Sequence, residues 1–145
     1  MRPASFFVSL LTSRRYPLHW AAPGGHAEPS DIGVSDSLEN VSEDAIRDEL
    51  FDASQKEVVE ETGISKSELS GPLLLGISRR VHHHRPVAIF VQRTTLSAEE
   101  VLAHYTPEAA VDHDESIDIR LLPVSSVPSL TEHFAMPGCQ QGGAE

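Results

Sequence analysis

A stretch of twenty residues, Glu43 to Thr62, contains no glycine or proline and is bounded by residues typical of helix ends. Ser42 is a good N-cap, because its hydroxyl can accept a hydrogen bond from a first-turn backbone N–H. Gly63 suits the position just after the helix, since glycine readily adopts the left-handed conformation. The sequence therefore predicts a long helix over residues 43–62, around which the rest of the chain has to be arranged.

Shorter elements flank this helix. Short apolar runs predict four strands, Phe6–Leu11, Leu73–Ser78, Val87–Gln92 and Ile117–Leu122, of which the middle two form a hairpin-like pair. Ser97 predicts the N-cap of a second helix that ends near Tyr105. The remaining segments are predicted as a turn (Pro23–Gly25), a loop (Glu28–Asn40), a short turn or helix (Val124–Glu132) and a disordered tail (Pro137–Glu145).

Length and charge limit the classes of protein. The 145 residues fit a single domain over 1–145. The formal net charge of −11 argues against nucleic acid and anionic membrane surfaces as partners, because both require basic surface. Divalent cations can still bridge an acidic protein to a polyphosphate.

The single cysteine, Cys139, fits a reducing compartment, so we expect the protein in the cytoplasm. Residues 1–17 are predicted to be either a strand segment or a mitochondrial targeting segment.

The long helix carries an unusual cluster of acidic residues. At roughly 100° per residue, Ile46, Leu50 and Ala53 fall within about 40° of the direction of Glu57. Glu57, Glu60 and Glu61 occupy the same face in the second half of the helix. Carboxylates this close repel each other unless something neutralises them, and hard oxygen ligands suit Mg²⁺ or Mn²⁺. The alternative interpretation is a solvated acidic face, and the helix alone does not decide between the two.

Two motifs resemble the signature of the Nudix hydrolases. That signature reads Gly, five residues, Glu, seven residues, Arg-Glu-aliphatic, one residue, Glu-Glu, one residue, Gly-aliphatic. Residues 56–64, KEVVEETGI, match its second half with Lys56 in place of arginine, and residues 20–29, WAAPGGHAEP, resemble the turn that precedes it. Asp31 stands where the first glutamate is expected. Twenty-four residues separate Asp31 from Lys56 where the pattern has seven, which indicates an insertion.

The insertion is similar to one in the animal UDP-glucose pyrophosphatases, a Nudix subgroup that the chain resembles from about Trp20 to Val124. The resemblance implies an α/β fold, the Nudix α/β/α sandwich with a mixed β-sheet and a loop–helix–loop box. Because the chain is short for this fold, the domain is expected to be truncated at both ends.

The resemblance also implies roles for particular residues. Glu57, Glu60, Glu61 and the backbone carbonyl of Gly24 would bind Mg²⁺, with Mn²⁺ as the alternative ion. Either a helix glutamate or Glu115, in the acidic loop with Asp112 and Asp114, would act as general base. Candidates for diphosphate contacts are Arg79, Arg80, Arg85 and Arg93, because planar guanidinium groups suit phosphate. The alternative for each arginine is an ordinary surface charge, and the three histidines at 82–84 are interpreted as a polar loop.

The implied function is Mg²⁺-dependent hydrolysis of the diphosphate bond of a nucleotide sugar, UDP-glucose or UDP-galactose, to UMP and a sugar 1-phosphate. A small-molecule nucleotide sugar is then the expected partner, and the oligomeric state stays open. Two alternatives remain. One is a Nudix hydrolase of another compound, such as ADP-ribose, a dinucleotide, coenzyme A or capped RNA, and the other is a catalytically silent Nudix-like binding module.

Overall fold

The computed structural model describes residues 7–12, 20–33, 41–79, 84–105 and 118–129. The elements in chain order are β1 (Phe7–Thr12), β2 (Trp20–Ala21), α1 (Glu43–Thr62), β3 (Leu73–Arg79), β4 (Pro86–Val91), α2 (Ala98–His104) and β5 (Asp118–Pro123). Three 3₁₀ turns lie at Pro29–Ile32, Lys66–Glu68 and Val124–Ser129. The predicted tail, Pro137–Glu145, lies outside the described residues, as does most of the predicted loop after Gly33.

Helix α1 has the predicted bounds, and both predicted caps are formed. The Ser42 side chain accepts a hydrogen bond from the backbone N–H of Ala45 at 3.1 Å, which satisfies one of the unpaired donors of the first turn. Gly63 adopts φ +74°, and its N–H donates to the carbonyl of Val59. Local end signals therefore suffice to fix this element, independently of what the helix packs against.

The strands form two antiparallel sheets. In the first sheet the strand order is β2-β1-β5, with Thr12 opposite both Trp20 and Asp118. The second sheet is the predicted hairpin of β3 and β4, in which Leu73 lies opposite Val91 and Arg79 opposite Pro86. Every strand pair among the described residues is antiparallel, whereas a mixed sheet was predicted. The α/β class is confirmed, while the described strands do not form the predicted sandwich arrangement by themselves.

Helix α1 packs against the hairpin through one side of its surface. The rings of Phe51 and Phe90 meet edge to face, with their centroids 5.0 Å apart. Four residues further along the helix, the buried Gln55 amide donates to the carbonyl of Ser70 at 3.4 Å. The N–H of Ser70 in turn donates to the carbonyl of Arg93, just after β4, and the N–H of Arg93 donates to the Ser70 hydroxyl. Residues that come later in β4 therefore lie beside residues that come later in α1, from the contact of Phe90 with Phe51 to the link of Arg93 with Gln55 through Ser70.

The predicted core face of α1 is only partly correct. Ala53 is buried, but Ile46 and Leu50, assigned to the same face, are 44% and 36% exposed. The residues that α1 buries are Ala53, Gln55 and Thr62. Apolar side chains occur on several sides of this helix, so the periodicity alone did not show which side would meet the hairpin.

Helix α2 is fixed at one end by a capping box and contacts the end of α1. The Ser97 hydroxyl accepts from the N–H of Glu100, and the Glu100 carboxylate accepts from the N–H of Ser97, which is the arrangement expected for the predicted N-cap. Its Val101 is 1% exposed. A Cβ at Gly63 would lie 2.6 Å from the carbonyl oxygen of His104, so glycine permits the two helix ends to approach.

Several apolar side chains of β3 are exposed. Leu73, Leu75 and Ile77 are each more than 60% exposed, and because of a bulge Leu73 and Ile77 lie opposite Val91 and Ala88, which are on different faces of β4. Across the ranges that the structure describes, no helix is long and apolar enough to cross a membrane.

Candidate active site

The segment before the first 3₁₀ turn is bonded to the acidic half of α1. The backbone N–H of Gly24 donates to Oε2 of Glu61 at 3.1 Å, although the two residues are 37 positions apart. A hydrogen bond to a carboxylate is stronger than one between neutral groups. This contact brings together the two motifs, the glycine turn and the glutamates of the helix, that the sequence could place only on separate segments.

Gly25 lies directly against a second carboxylate of the helix. A Cβ at this position would overlap the carboxylate of Glu57, whereas a Cβ at Gly24 would meet only the carbonyl oxygen of Ala22 at 3.9 Å. The close approach explains why glycine suits position 25, since any side chain would displace the glutamate. The two adjacent glycines therefore have different roles: one donates an N–H, and the other leaves room for a carboxylate.

Asp31 and Lys56 form an ion pair across the insertion. The Nζ of Lys56 lies 3.6 Å from Oδ2 of Asp31, with both side chains about half exposed. Exposed pairs of this kind contribute little to stability, typically about 0–1 kcal/mol. The contact is informative as geometry, because it shows that the intervening residues return the chain to the helix. The substitutions of aspartate and lysine for the usual box residues thus leave the two positions within reach of each other.

The three helix glutamates are all half-buried. Together with the carbonyl of Gly24, they offer hard oxygen ligands of the kind that Mg²⁺ prefers. Within the described residues, however, no three acidic or imidazole side chains converge closely enough to hold a metal ion. The donor chemistry of Glu57, Glu60 and Glu61 fits a divalent cation, and the contacts of Gly24 and Gly25 hold two of these carboxylates beside the turn.

The predicted phosphate-binding arginines are not brought together. Arg79 ends β3 beside Pro86, and Arg93 follows β4 at the opposite end of the hairpin. Six residues of strand at about 3.3 Å each separate these ends by roughly 20 Å. The Arg93 end is the nearer to Gln55, through the contact of Ser70 with Gln55.

Several of the residues predicted to belong to the site lie outside the described residues. Arg80 and Glu115 lie outside the described residues, together with Asp112, Asp114 and the first two histidines of the predicted polar loop. Arg85 and His84 are described and exposed, next to the start of β4.

The structure also shows a contact that the sequence did not reveal. The guanidinium carbon of Arg120 lies 4.6 Å from the centroid of the Trp20 ring, a cation–π contact. The two residues belong to β5 and β2, which β1 separates. The signal that could have found the pair is the strand register, which places Trp20 and Asp118 opposite the same residue, Thr12.

The structure places the Gly24–Gly25 turn beside Glu57 and Glu61, which the Nudix resemblance assigns together with Gly24 to one metal site. No protein-family model matches the chain. The chain is 36% identical over 135 residues to Nudix hydrolase 9 of Arabidopsis thaliana, an alignment that covers 88% of this chain and 42% of the relative. It is 33% identical over 133 residues to the human uridine diphosphate glucose pyrophosphatase NUDT22, covering 88% and 44%, and 32% identical to the bovine protein of that name, covering 79% and 40%.

These alignments confirm the family resemblance: the chain is a homologue of the Nudix hydrolases. It spans less than half the length of each of these relatives.

Proposed function

We propose that this chain hydrolyses the diphosphate bond of a nucleotide sugar, UDP-glucose or UDP-galactose, in a reaction that depends on Mg²⁺. Water adds to one phosphorus, the bridging P–O bond breaks, and UMP and a sugar 1-phosphate are released. The proposal rests on one structural observation, the seating of the Gly24–Gly25 turn on the carboxylates of Glu57 and Glu61. Two relatives named as uridine diphosphate glucose pyrophosphatases support the choice of substrate.

The residues of the chain would hold and orient the reacting groups. Glu57, Glu60, Glu61 and the Gly24 carbonyl would hold a divalent cation, which when bound would neutralise diphosphate oxygens and activate a water molecule. The N–H of Gly24 fixes the Glu61 carboxylate through its hydrogen bond. The contact at Gly25 restricts where the Glu57 carboxylate can lie. Glu115 or one of the helix glutamates would accept the proton of the attacking water.

One of the relatives supports a second candidate class of substrate. The name of Nudix hydrolase 9 specifies no substrate, and that protein is 36% identical to this chain. Hydrolysis of another nucleoside diphosphate compound is therefore the second candidate, tested with ADP-ribose, a dinucleotide, coenzyme A and capped RNA beside the two nucleotide sugars.

We further propose that the two described sheets and two helices form part of an α/β/α sandwich. The exposed apolar side chains of β3, Leu73, Leu75 and Ile77, support this view. In a layered fold, a further layer covers apolar side chains of this kind.

The decisive experiment measures UMP release from UDP-glucose by the purified chain, with and without millimolar Mg²⁺. The test variant is Glu60→Gln/Glu61→Gln, and the matched control is Glu49→Gln, a glutamate of the same helix outside the signature. We expect release that requires Mg²⁺, that the double variant loses and that the control retains. Full activity in the double variant would refute the proposed mechanism, and absence of release by a chain that melts cooperatively would favour another substrate or a silent binding module.

A further inference from the structure

The contact between Arg120 and Trp20 places a cation on the outer face of the first sheet. Trp20 and Asp118 both lie opposite Thr12, and Arg120 follows Asp118 by two residues, so all three share one face of the sheet. Ile119, between them, points to the other face and is buried. Arg120 itself is exposed. The guanidinium of Arg120 therefore lies over the Trp20 ring, and its N–H groups have no acidic partner among the described residues.

Arg120 has no acidic partner among the described residues, whereas several of the other cations do. Arg47 pairs with Asp44 and Asp48, while Lys56 and Lys66 pair with Asp31 and Asp52. Arg120, like Arg79, Arg85 and Arg93, forms no ion pair within the part of the chain that the structure describes, and its guanidinium contacts the Trp20 ring. In a chain of net charge −11, an arginine held on an aromatic ring instead of an acidic partner is suited to an anionic ligand.

The position of this pair along the chain links it to the candidate active site. Trp20 is four residues before Gly24, and four residues span at most about 14 Å. The N–H of Gly24 is bonded to Glu61. By comparison, Arg79 lies at the end of the hairpin remote from the contact of Ser70 with Gln55. Arg120 is thus linked to the turn that contacts the glutamates through its partner Trp20, which is close to that turn in the sequence.

We propose that Arg120, oriented by Trp20, is a substrate-binding residue that donates hydrogen bonds to a phosphate of the nucleotide. The inference rests on the proposed function for the class of ligand, since a nucleoside diphosphate supplies the oxygens that a guanidinium edge recognises. Trp20 would restrict the orientation of the guanidinium before the ligand binds, which reduces the conformational entropy lost on binding.

Trp20 gives this proposal a direct reporter, because it is the single tryptophan of the chain. UDP is titrated into the protein with millimolar Mg²⁺ while Trp20 emission is recorded, and calorimetry measures the dissociation constant independently. The variants are Arg120→Gln, Arg120→Lys and the control Arg47→Gln, an exposed arginine near the N-terminus of α1, each checked for a cooperative thermal melt by circular dichroism. Glucose serves as the uncharged control ligand.

We expect UDP to change Trp20 emission in the wild type and glucose to leave it unchanged. Arg120→Gln should weaken UDP binding by at least about tenfold, as expected for the loss of a charge-assisted hydrogen bond. Arg120→Lys should lose less, and Arg47→Gln should change the dissociation constant by less than about twofold. Equal UDP affinity in Arg120→Gln and the wild type, or no binding of UDP by the wild type, would overturn the inference.

The outcomes also separate this inference from the proposed function. Binding of UDP that depends on Arg120, without hydrolysis of any nucleotide sugar, would refute the proposed activity and support the binding role. Hydrolysis of UDP-glucose with the same kcat/KM in Arg120→Gln and the wild type would support the activity and refute the binding role.

Discussion

Substituting alanine at Gly25 should damage activity far more than stability. A Cβ there overlaps the carboxylate of Glu57, which must move by roughly 1.5 Å to regain ordinary van der Waals contact. The obstructing group is the end of a flexible side chain, so a change of rotamer costs about 0.5–1.5 kcal/mol. Replacing glycine by alanine also lowers the entropy of the unfolded chain, which offsets about 0.4–1 kcal/mol of this cost. The net change in the free energy of unfolding should therefore stay within about 1 kcal/mol.

The same displacement should lower kcat/KM for UDP-glucose by about 100-fold, because misplacing a catalytic group by about 1 Å has effects of that size. Gly24→Ala is the matched control, since its Cβ meets only an oxygen at 3.9 Å and its N–H remains available to Glu61. Urea unfolding followed by circular dichroism gives the stability, and UMP release gives kcat/KM. If Gly25→Ala is as active as Gly24→Ala, then the carboxylate position set by Gly25 does not matter to the reaction.

Four further substitutions carry predictions for stability, measured by urea unfolding. Gly63→Ala should cost about 2–4 kcal/mol, because a left-handed backbone is strained by a side chain and the added Cβ meets a backbone oxygen 2.6 Å away. Gly33→Ala, with φ +76° but open space around it, should cost only about 1–2 kcal/mol, and equal costs would contradict the packing of α1 against α2. Ser42→Ala should cost about 1 kcal/mol through loss of the cap, and no change would mean that another group caps the helix. Lys56→Gln should cost less than about 1 kcal/mol, since its partner Asp31 is exposed, and a larger loss would show a role beyond the ion pair.

Local signals predicted the elements well, because caps and turn residues act over a few positions. The bounds of α1 followed from Ser42 and Gly63, and the N-cap of α2 followed from Ser97. The hairpin of β3 and β4 was predicted with its ends shifted by about one residue. These features depend on residues adjacent in sequence, so one chain without an alignment is enough to find them.

Tertiary contacts were predicted less well, because periodicity does not identify the packing partner. The side of α1 that meets the hairpin carries Phe51 and Gln55, whereas the predicted face included the exposed Ile46 and Leu50. By contrast, the separation of Arg79 from Arg93 already follows from the predicted hairpin, which places the first beside the connecting loop and the second at the opposite end.

The contacts around α1 show how the glycine turn reaches the acidic half of the helix across the long segment between Asp31 and Lys56. Residues 24–31 lie beside the second half of the helix and are attached at both ends, through Gly24 to Glu61 and through Asp31 to Lys56. Residues 43–55, which are part of the segment between Asp31 and Lys56, form the first half of α1. Much of the inserted segment therefore forms the first half of α1, which precedes the acidic half. The glycine turn contacts the glutamates of the second half and does not cross the first half. A lengthened helix of this kind changes the exposed N-terminal surface of α1, where Ile46 lies, and leaves the contacts of the glutamates in place.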